Sequence, residues 1–368
     1  MIYRTYGKTD EKVSAIGFGG MRFLDEQNIE KNAELVLYAH SKGITYFDTA
    51  PYYCDDKSEE IMGAAFRQMT PGSFVASSKC GSPDGKELRE SLECSLERLG
   101  VDCIDFFNIW CIKSQADWES RKTGGAVDAL LKARDEGLVK HVVCSTHMMR
   151  DEASVMLDEK IFKGVTLGYN AVNFPFREQV IADAASHGMG VVTMNPLNGG
   201  LIPQHAERFD FIRSADDPTV VHAALRFVLS NPAVTAALVG FRSKKEIDQA
   251  VAVTENFVPY DTKHHEQLKK QITDSFDGLC TGCGYCLPCP QGIQIPKLMD
   301  AYNMRILNGP EAEHITNRLK GHWTLDSSEA EKCTQCGACE QACTQHLPII
   351  KRLKEIVSAG REVAAKKE

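Results

Sequence analysis

The strongest constraint on the fold of this chain is an alternation of short apolar segments with longer amphipathic segments over most of its length. Eight such strand–helix units fill about 255 residues, which is the usual size of a (β/α)8 barrel. The predicted strands are residues 13–20, 45–48, 74–79, 104–110, 141–145, 165–169, 191–194 and 236–239. A doubly wound open sheet is the alternative, but it usually carries the pattern G-x-G-x-x-G after its first strand, which Gly17-Phe18-Gly19-Gly20 does not fit. The sequence therefore favours a TIM barrel.

Three residues near the ends of the second and third predicted strands form a candidate proton-transfer group. Asp48 ends one strand, Tyr53 follows it, and Lys79 ends the next strand. Active sites of such barrels are built at the carboxyl ends of the strands, so we expect these side chains to lie together. An ammonium beside a phenol lowers the phenol pKa from its usual value of about 10, and Asp48 would hold the lysine charged and in place. An Asp–Lys pair that only closes the top of the barrel is the alternative.

The fourteen cysteines are distributed unevenly along the chain. Six lie singly in the first 150 residues, and the other eight lie between Cys280 and Cys343. Both C-terminal motifs begin with the triplet C-x2-C-x2-C, and each has a fourth cysteine further on. Such a triplet wraps around a corner of an iron–sulfur cube, which a more distant thiolate completes. Zinc sites are the alternative, although zinc uses paired cysteines and two triplets match that pattern poorly.

Composition limits the classes of partner. The net charge is −8 and no long Lys/Arg-rich block is present, which argues against nucleic-acid binding. No apolar run approaches the roughly 20 residues that span a bilayer, and the first residues lack the apolar core of a signal peptide. We therefore expect a cytoplasmic protein that binds neither nucleic acid nor membrane. In that reducing compartment, clustered cysteines indicate metal binding rather than disulfides.

The pattern changes near residue 258, which divides the chain. We predict a barrel over residues 1–257, a polar helical connector over 258–279 and an iron–sulfur domain over 280–368. Helices are predicted at residues 296–307, 311–319 and 348–365 of that last region. The predicted fold class is therefore α/β, a (β/α)8 TIM barrel followed by a small, mainly α-helical iron–sulfur domain.

The chain from residue 3 to residue 253 resembles the aldo-keto reductase family. The motifs that carry the resemblance include Tyr3-Arg4-Thr5-Tyr6-Gly7, Phe47-Asp48-Thr49-Ala50, Ser58-Glu59-Glu60-Ile61-Met62-Gly63, Ser95-Leu96-Glu97-Arg98-Leu99-Gly100 and Asn195-Pro196-Leu197. Members of this family bind NADPH or NADH across the top of the barrel and transfer hydride to a carbonyl while a tyrosine supplies the proton. The resemblance implies that Tyr53 is the acid, that Lys79 lowers its pKa, and that Asp48 orients them.

The resemblance also implies residues that contact the cofactor and the substrate. The cofactor, NADP or NAD, is expected to contact Gly19, Ser145, Thr146, Asn170, Met194, Gly240, Arg242 and Ser243. Ser145 and Thr146 stand where the family contacts the nicotinamide carboxamide, and Arg242 stands where it holds the adenosine-side phosphate. The substrate pocket is expected to be lined by Met21, Trp110 and His147.

Trp110 is an informative departure from the family. It takes the place of a histidine at the end of the fourth strand, and an indole N–H can donate a hydrogen bond but cannot titrate. The polarisation of a carbonyl by imidazole is therefore lost unless His147 or another group substitutes, and Trp110 is expected to be a pocket wall. Met194 stands where many members stack an aromatic ring on the nicotinamide.

The C-terminal cysteines resemble those of two-cluster ferredoxins, in which the fourth cysteine of each motif binds the other cluster. The resemblance assigns Cys280, Cys283, Cys286 and Cys343 to one 4Fe-4S cluster, and Cys333, Cys336, Cys339 and Cys289 to a second. The long helical interval between the two motifs suggests the α-helical ferredoxin type. Glycines within the motifs would let backbone amides approach the sulfides.

Three functions are compatible with the sequence. The first is a reductase of a small-molecule substrate, with electrons from NAD(P)H and/or two 4Fe-4S clusters that connect the site to an external ferredoxin or flavoprotein. The second is a cluster-driven one-electron reduction of a C=C or C–O bond without nicotinamide hydride. The third is a non-catalytic redox sensor or electron-transfer subunit that keeps the barrel as a scaffold. The sequence leaves the oligomeric state open.

Overall fold

The computed structural model describes residues 1–148, 150–174, 177–275, 278–280, 282 and 284–366. The chain forms two compact units. The first comprises Met1–Leu197 and Asp210–His264, and the second comprises Asn198–Phe209 and His265–Glu368. The predicted bounds placed residues 198–209 in the barrel domain, whereas the structure groups this internal segment with the C-terminal part of the chain.

The first unit begins with an antiparallel hairpin, β1 (Tyr3–Thr5) and β2 (Lys12–Ser14). Our prediction of one strand over residues 13–20 was wrong, because the structure divides this run between β2 and a separate barrel strand, Ile16–Gly19. The apolar run itself does not show that its first part pairs with β1. The hairpin places the fully buried Tyr6 ring among the strands of the barrel. A Cβ at Gly164 or Gly190 would come within 2.3 Å of that ring, so only glycine fits there.

The eight strands that follow are parallel and form a closed barrel in the order β10-β3-β4-β5-β6-β7-β8-β9. They are β3 (Ile16–Gly19), β4 (Tyr46–Asp48), β5 (Val75–Cys80), β6 (Ile104–Ile112), β7 (Val139–Thr146), β8 (Gly164–Gly168), β9 (Gly190–Met194) and β10 (Ala236–Val239). Their inward side chains pack around Tyr6 and include Tyr46, Phe106 and Val143. Parallel pairing brings all eight carboxyl ends to one face.

Helices alternate with the barrel strands. Up to the end of the barrel they are α1 (Ile29–Ser41), α2 (Ser58–Phe66), α3 (Gly85–Leu99), α4 (Gln115–Thr123), α5 (Ala126–Asp135), α6 (Arg150–Asp158), α7 (Glu178–Ser186), α8 (Leu201–Gln204), α9 (Val220–Ser230) and α10 (Lys244–Ala252). Of these, α8 lies in the second unit. Asp84 caps α3 by accepting from the N–H of Lys86 at 2.8 Å, and Gly100 ends that helix with φ +66°.

A buried ionic network fixes the segment before α9 to the chain that leaves the barrel. Asp217 is 1% exposed and accepts from Ser214 N at 2.8 Å, from Arg226 Nη1 at 3.2 Å and from the Tyr260 hydroxyl. His222 Nδ1 lies 3.0 Å from the same carboxylate. Burial would raise the pKa of Asp217, but the hydrogen bonds from Tyr260 and Ser214 lower it to about 2.

The second unit is mainly helical. Its main helices are α11 (Thr262–Ser275), which begins in the first unit, α12 (Ile295–Asn308), α13 (Ala312–Arg318), α14 (Ala338–Gln341) and α15 (Ile349–Ala365). A π-helical turn, Leu319–Trp323, follows α13 directly. The core of this unit contains Leu298, Ile315 and Leu353, and several cysteines pack against its edge.

The predicted fold class is confirmed as an eight-stranded parallel barrel followed by a helical C-terminal region. Within the described part of the chain, no helix combines the length and the apolar character that crossing a membrane requires.

Candidate functional site

Asp48 and Lys79 form a buried ion pair at the carboxyl ends of neighbouring strands. Asp48 ends β4, Lys79 lies near the end of β5, and the register of the two strands places Asp48 opposite Ser77. Lys79 Nζ donates to Asp48 Oδ2 at 2.6 Å and to Thr49 O at 2.7 Å. Ser77 Oγ donates to the other carboxylate oxygen, Oδ1, at 2.8 Å. The pair is therefore held by both neighbouring strands.

The environment of Lys79 sets its electrostatics. The residue is 3% exposed, and this burial lowers the pKa of the ammonium from 10.5, while Asp48 acts to raise it. Nζ also lies 5.4 Å from the centroid of the Tyr53 ring. A cation at this distance from a ring is within the range of a cation–π contact. The three residues predicted as a proton-transfer group are thus brought together.

The loop that carries Tyr53 is held in a strained conformation. Tyr52, Cys54, Asp55 and Asp56 all have positive φ, between 52° and 69°. Such angles cost of order 1 kcal/mol or more for each non-glycine residue and persist only where the surroundings enforce them. Asp56 does so here, because its carboxylate receives both Nη1 and Nη2 of an arginine in α3, at 2.9 and 3.0 Å. The loop therefore presents the half-buried Tyr53 from an anchored segment.

Trp110 lies next to Tyr53, at a bulge in β6. Ile109 pairs with Cys144 and Ile112 pairs with Thr146, so β6 has one extra residue over this interval. Cys111, inside the bulge, has φ +59°. The half-buried Trp110 ring meets the Tyr53 ring edge-on, with centroids 5.6 Å apart and planes at 84°. This geometry agrees with the interpretation of Trp110 as a wall of the site.

The predicted carboxamide contacts lie at the end of β7. Ser145 Oγ accepts from the N–H of Cys111 at 2.8 Å, which leaves its own proton available for donation. Thr146 Oγ1 donates to Ile112 O at 3.0 Å and accepts from a backbone N–H at 3.0 Å, so its hydroxyl is fixed by the chain. His147, predicted in the substrate pocket, follows Thr146 directly and is buried.

Other predicted cofactor and substrate residues also lie at strand ends. Gly19 and Met194 end β3 and β9, Gly240 follows β10, and the exposed Met21 follows β3. Asn170 is buried, and its side chain donates to Asn195 O at 3.0 Å, which joins the segments after β8 and β9. We infer that Asn170 shapes this face of the barrel.

Arg242 and Ser243 stand directly before α10. Ser243 caps the helix by accepting from Glu246 N at 3.3 Å, and the Arg242 N–H donates to the Glu246 carboxylate at 2.6 Å. The Arg242 side chain is exposed. A phosphate at this helix start would therefore meet the Glu246 carboxylate as well as the arginine.

A polar chain across the barrel interior was not predicted from the sequence. Thr166 donates to Asn108 Oδ1 at 3.4 Å, and Asn108 Nδ2 donates to Ser77 Oγ at 3.2 Å. Ser77 in turn donates to Asp48. All four side chains are buried. The sequence did contain a signal for these hydrogen-bonded side chains, because Asn108 is a polar residue within the apolar strand Phe106-Phe107-Asn108-Ile109.

Five of the predicted cysteine ligands line one cavity of the second unit. The cavity has a volume of about 230 Å3 and is lined by Cys286, Cys289, Cys333, Cys336 and Cys339, with Ile293 and Leu353 among its apolar neighbours. It is far larger than a single ion or water molecule needs. Thiols and an apolar wall suit an iron–sulfur cluster, and four of the five cysteines are those that the crossover pattern assigns to the second cluster, while Cys286 belongs to the first set.

The first predicted set is described in part, since Cys283 lies outside the described residues. Cys280, Cys286 and Cys343 are half-buried and pack against the same helical core. Leu347 N donates to Cys343 Sγ at 3.4 Å, and Gly282 N lies 3.4 Å from Cys280 Sγ. Backbone N–H groups directed at sulfur are a means by which proteins tune iron–sulfur clusters.

The zinc alternative fits the second set poorly. Among the described residues, no three His, Cys, Asp or Glu side chains are close enough together to hold a single metal ion. Tetrahedral zinc needs its thiolates at about 2.3 Å from one centre. The described cysteines that line the cavity are therefore not arranged around one such centre.

Comparison with known proteins assigns the family. The model of the "Aldo/keto reductase family" matches residues 15–272, and that of the "4Fe-4S dicluster domain" matches residues 279–348. L-galactose dehydrogenase of Arabidopsis thaliana is 27% identical over 68% of this chain and 88% of its own length. NADH-specific methylglyoxal reductase of Escherichia coli is 23% identical over 53% of this chain and 67% of its own length.

A solved structure is similar in fold. An aldo-keto reductase of Bacillus halodurans, in its holo form, superposes with a TM-score of 0.62 and 21% identity over 73% of this chain and 96% of its own. The chain belongs to the aldo/keto reductase family and carries a 4Fe-4S dicluster domain at its C-terminus. The predictions of this family, of an oxidoreductase enzyme and of an iron–sulfur domain are confirmed.

Proposed function

We propose that this oxidoreductase reduces a small organic substrate at the barrel mouth, with Tyr53 as the proton donor. The observation that carries the proposal is the buried Lys79 ammonium, which is bonded to Asp48 at 2.6 Å and lies 5.4 Å from the Tyr53 ring. A fixed positive charge beside a phenol stabilises the phenolate that forms when the proton leaves. Asp48 offsets the cost of burying that charge.

Each member of the group has a separate role in this proposal. Tyr53 moves a proton from its hydroxyl to the substrate atom that gains negative charge. Lys79 acts only as an ammonium, and because burial lowers its pKa from 10.5, this form is lost at a lower pH than in an ordinary lysine as the pH rises. Asp48 opposes that loss. We therefore expect proton delivery to weaken on the alkaline side at a lower pH than an ordinary lysine would allow.

A nicotinamide cofactor, NADP or NAD, would be held by the residues at the strand ends. Ser145 can donate its hydroxyl proton to a carboxamide, Gly19 and Gly240 border the same face, and Arg242 with Ser243 flanks the start of α10. When bound, the cofactor supplies hydride. Thr146 and Asn170 would contribute side chains that hydrogen bonds within the chain already hold in place.

Two 4Fe-4S clusters would be held by the eight C-terminal cysteines in the crossover pattern. Four of the five cysteines that line one cavity belong to the second set, which supports this pairing, and Cys286 of the first set lines the cavity as well. When bound, the clusters store and pass single electrons. In this chain they would exchange electrons with an external ferredoxin or flavoprotein.

The test combines one substitution with one titration. We expect Tyr53→Phe to lower turnover of small carbonyl compounds and activated alkenes by about 10²- to 10⁴-fold, the usual worth of a general acid. Tyr52→Phe is the matched control, because Tyr52 is 79% exposed on the same loop, and it should leave turnover unchanged. Unchanged turnover in the Tyr53 variant would rule out the proposed proton donor.

Anaerobic reconstitution then tests the source of electrons. Iron and sulfide are quantified, and the protein is titrated with NADPH and with NADH while the cluster absorbance is followed. Bleaching of that absorbance connects hydride to the clusters. Cluster reduction without turnover of any substrate would instead favour a redox sensor or electron-transfer subunit.

A one-electron reduction of a C=C or C–O bond is the second candidate function. Trp110 favours it, because an indole occupies the place beside Tyr53 where the family's histidine would polarise a carbonyl. Tyr53 would still deliver the proton, while the clusters supply electrons singly. Turnover with a low-potential reductant and without nicotinamide supports this candidate, and its absence in that assay excludes it.

A further inference from the structure

Arg352 is a buried cation of the second unit that the proposed function does not use. It lies in α15 and is 7% exposed. Its Nη1 donates to Gly278 O at 2.6 Å, and its guanidinium lies 4.8 Å from the centroid of the Tyr302 ring. Burying a charge in this way is costly unless other groups compensate it.

Two cysteines of the first set are among the groups that can compensate this charge. Burial lowers the pKa of the Arg352 guanidinium, while Tyr302, Cys280, Cys343 and Glu355 act to raise it. No carboxylate of the described residues forms an ion pair with Arg352 within 4.0 Å. The thiolates of the first set are therefore natural partners for this cation.

The same helices also anchor the first ligand of that set. Asn303 in α12 is 1% exposed, accepts from Cys280 N at 2.9 Å and donates to Cys280 O at 2.8 Å. Arg352 fixes the carbonyl of Gly278, two residues earlier. The positions of the guanidinium and of Cys280 are thus determined by two buried side chains of neighbouring helices.

The second set has a different electrostatic environment. Cys336 is exposed, and the nearby Lys354 is exposed as well, with Nζ bonded to Gln335 Oε1 at 2.8 Å. Solvent screens a surface charge of this kind, whereas it screens a buried one much less. Among the described residues of the second unit, Arg352 is the buried cation, and it bonds the chain two residues before Cys280 of the first set.

We propose that Arg352 is a positioning and tuning residue that raises the reduction potential of the cluster bound by Cys280, Cys283, Cys286 and Cys343. The inference rests on the cluster pairing in the proposed function. Reduction adds negative charge to a cluster, and a nearby buried cation stabilises the added charge. The first cluster would thereby accept an electron more readily than its ligands alone dictate.

The test is an anaerobic redox titration followed by electron paramagnetic resonance. In Arg352→Gln, with iron and sulfide content unchanged, we expect the reduction potential of one of the two clusters to fall by at least 59 mV. For a one-electron couple, this is a tenfold change in the equilibrium constant of reduction. The other potential should stay in place. Arg361→Gln is the matched control, because Arg361 lies in the same helix, is 75% exposed and pairs with Glu331.

Further variants separate the charge from the packing. Arg352→Lys keeps the charge and should keep the potential near that of the wild type, whereas Arg352→Met should behave like Arg352→Gln. If both neutral variants lose iron while Arg352→Lys retains it, the need for the charge is supported. Loss of iron in all three variants, or unchanged potentials in the neutral ones, would overturn the inference.

Measurements on the wild-type protein distinguish a failure of the proposed function from a failure of this inference. Wild-type protein that binds only one cluster would contradict the proposed function itself. Two clusters with potentials that do not depend on Arg352 would contradict the inference alone.

Discussion

The barrel site and the cysteine sites are organised by different forces. Asp48 and Lys79 are placed by the hydrogen-bonded register of neighbouring strands, and Ser77 and Asn108 extend that order through the interior. Most of the cysteines lie instead on short loops at the edge of a helical core, and one cavity there brings Cys286 and Cys289 together with three thiols from the later motif.

This difference predicts different responses to change. A site built on a sheet is formed before any ligand binds, so a substitution alters its chemistry without removing the fold. A site built from distant loops gains part of its stability from the bound metal. We therefore expect the two sites to fail independently, and variants of each can test this.

The largest effect is expected from Cys336→Ala. The substitution removes one thiol from the second set, so about half of the iron and sulfide should be lost while the thermal unfolding of the barrel is retained. Cys94→Ala is the control, because Cys94 is exposed on α3 and lies outside both sets. Unchanged iron content in Cys336→Ala would contradict the ligand assignment.

Lys79→Met should affect the barrel and spare the clusters. Removal of the ammonium leaves the Asp48 carboxylate buried, so turnover should fall by about 10²- to 10⁴-fold and stability by about 3 kcal/mol or more. The double variant Lys79→Met/Asp48→Asn removes the buried charge and should recover stability without recovering turnover. Recovered turnover in the double variant would show that the pair only closes the barrel.

A smaller effect is expected at Asp217, away from both sites. Its pKa is lowered from 3.8 to about 2 in the folded chain, so it stabilises the fold above pH 4 and this contribution is lost as the pH falls towards 2. Asp217→Asn should lower the free energy of unfolding by about 2 kcal/mol at pH 7. Denaturant unfolding at pH 7 and pH 3 checks this, since the difference between variant and wild type should shrink at the lower pH.

Ser77→Ala should have the smallest effect. It removes one hydrogen bond to Asp48, worth about 1 kcal/mol, so turnover should fall by about fivefold. Ser73→Ala is the control, because Ser73 is half-buried and its hydroxyl donates to Thr70 O rather than to a residue of the site. A loss as large as that of Lys79→Met would mean that Ser77 is itself part of the proton-transfer group.

Much of the fold and the positions of the site residues could be predicted from the sequence. Parallel strands in a barrel share one carboxyl face, so the strand-final Asp48 and Lys79 could be placed without coordinates. The cysteine spacing likewise predicted an iron–sulfur domain, which the family comparison confirms.

Other features depend on pairing that a single sequence does not reveal. Ala15 joins two apolar strands, and nothing in that run shows that Val13 pairs with Arg4 instead of entering the barrel. The bulge at Cys111 is defined only against β7. From the sequence, Arg352 is one of several charged residues in an amphipathic helix. Its burial depends on how α15 packs against residue 278, which the sequence does not show.

The extra residue in β6 also determines how any new side chain at position 110 would be presented. Beyond Ile109, the alternation of inward and outward side chains is shifted by one position relative to an unbulged strand. A histidine introduced in place of Trp110 would therefore carry its imidazole on this shifted backbone, and its direction would depend on the bulge as well as on the substitution.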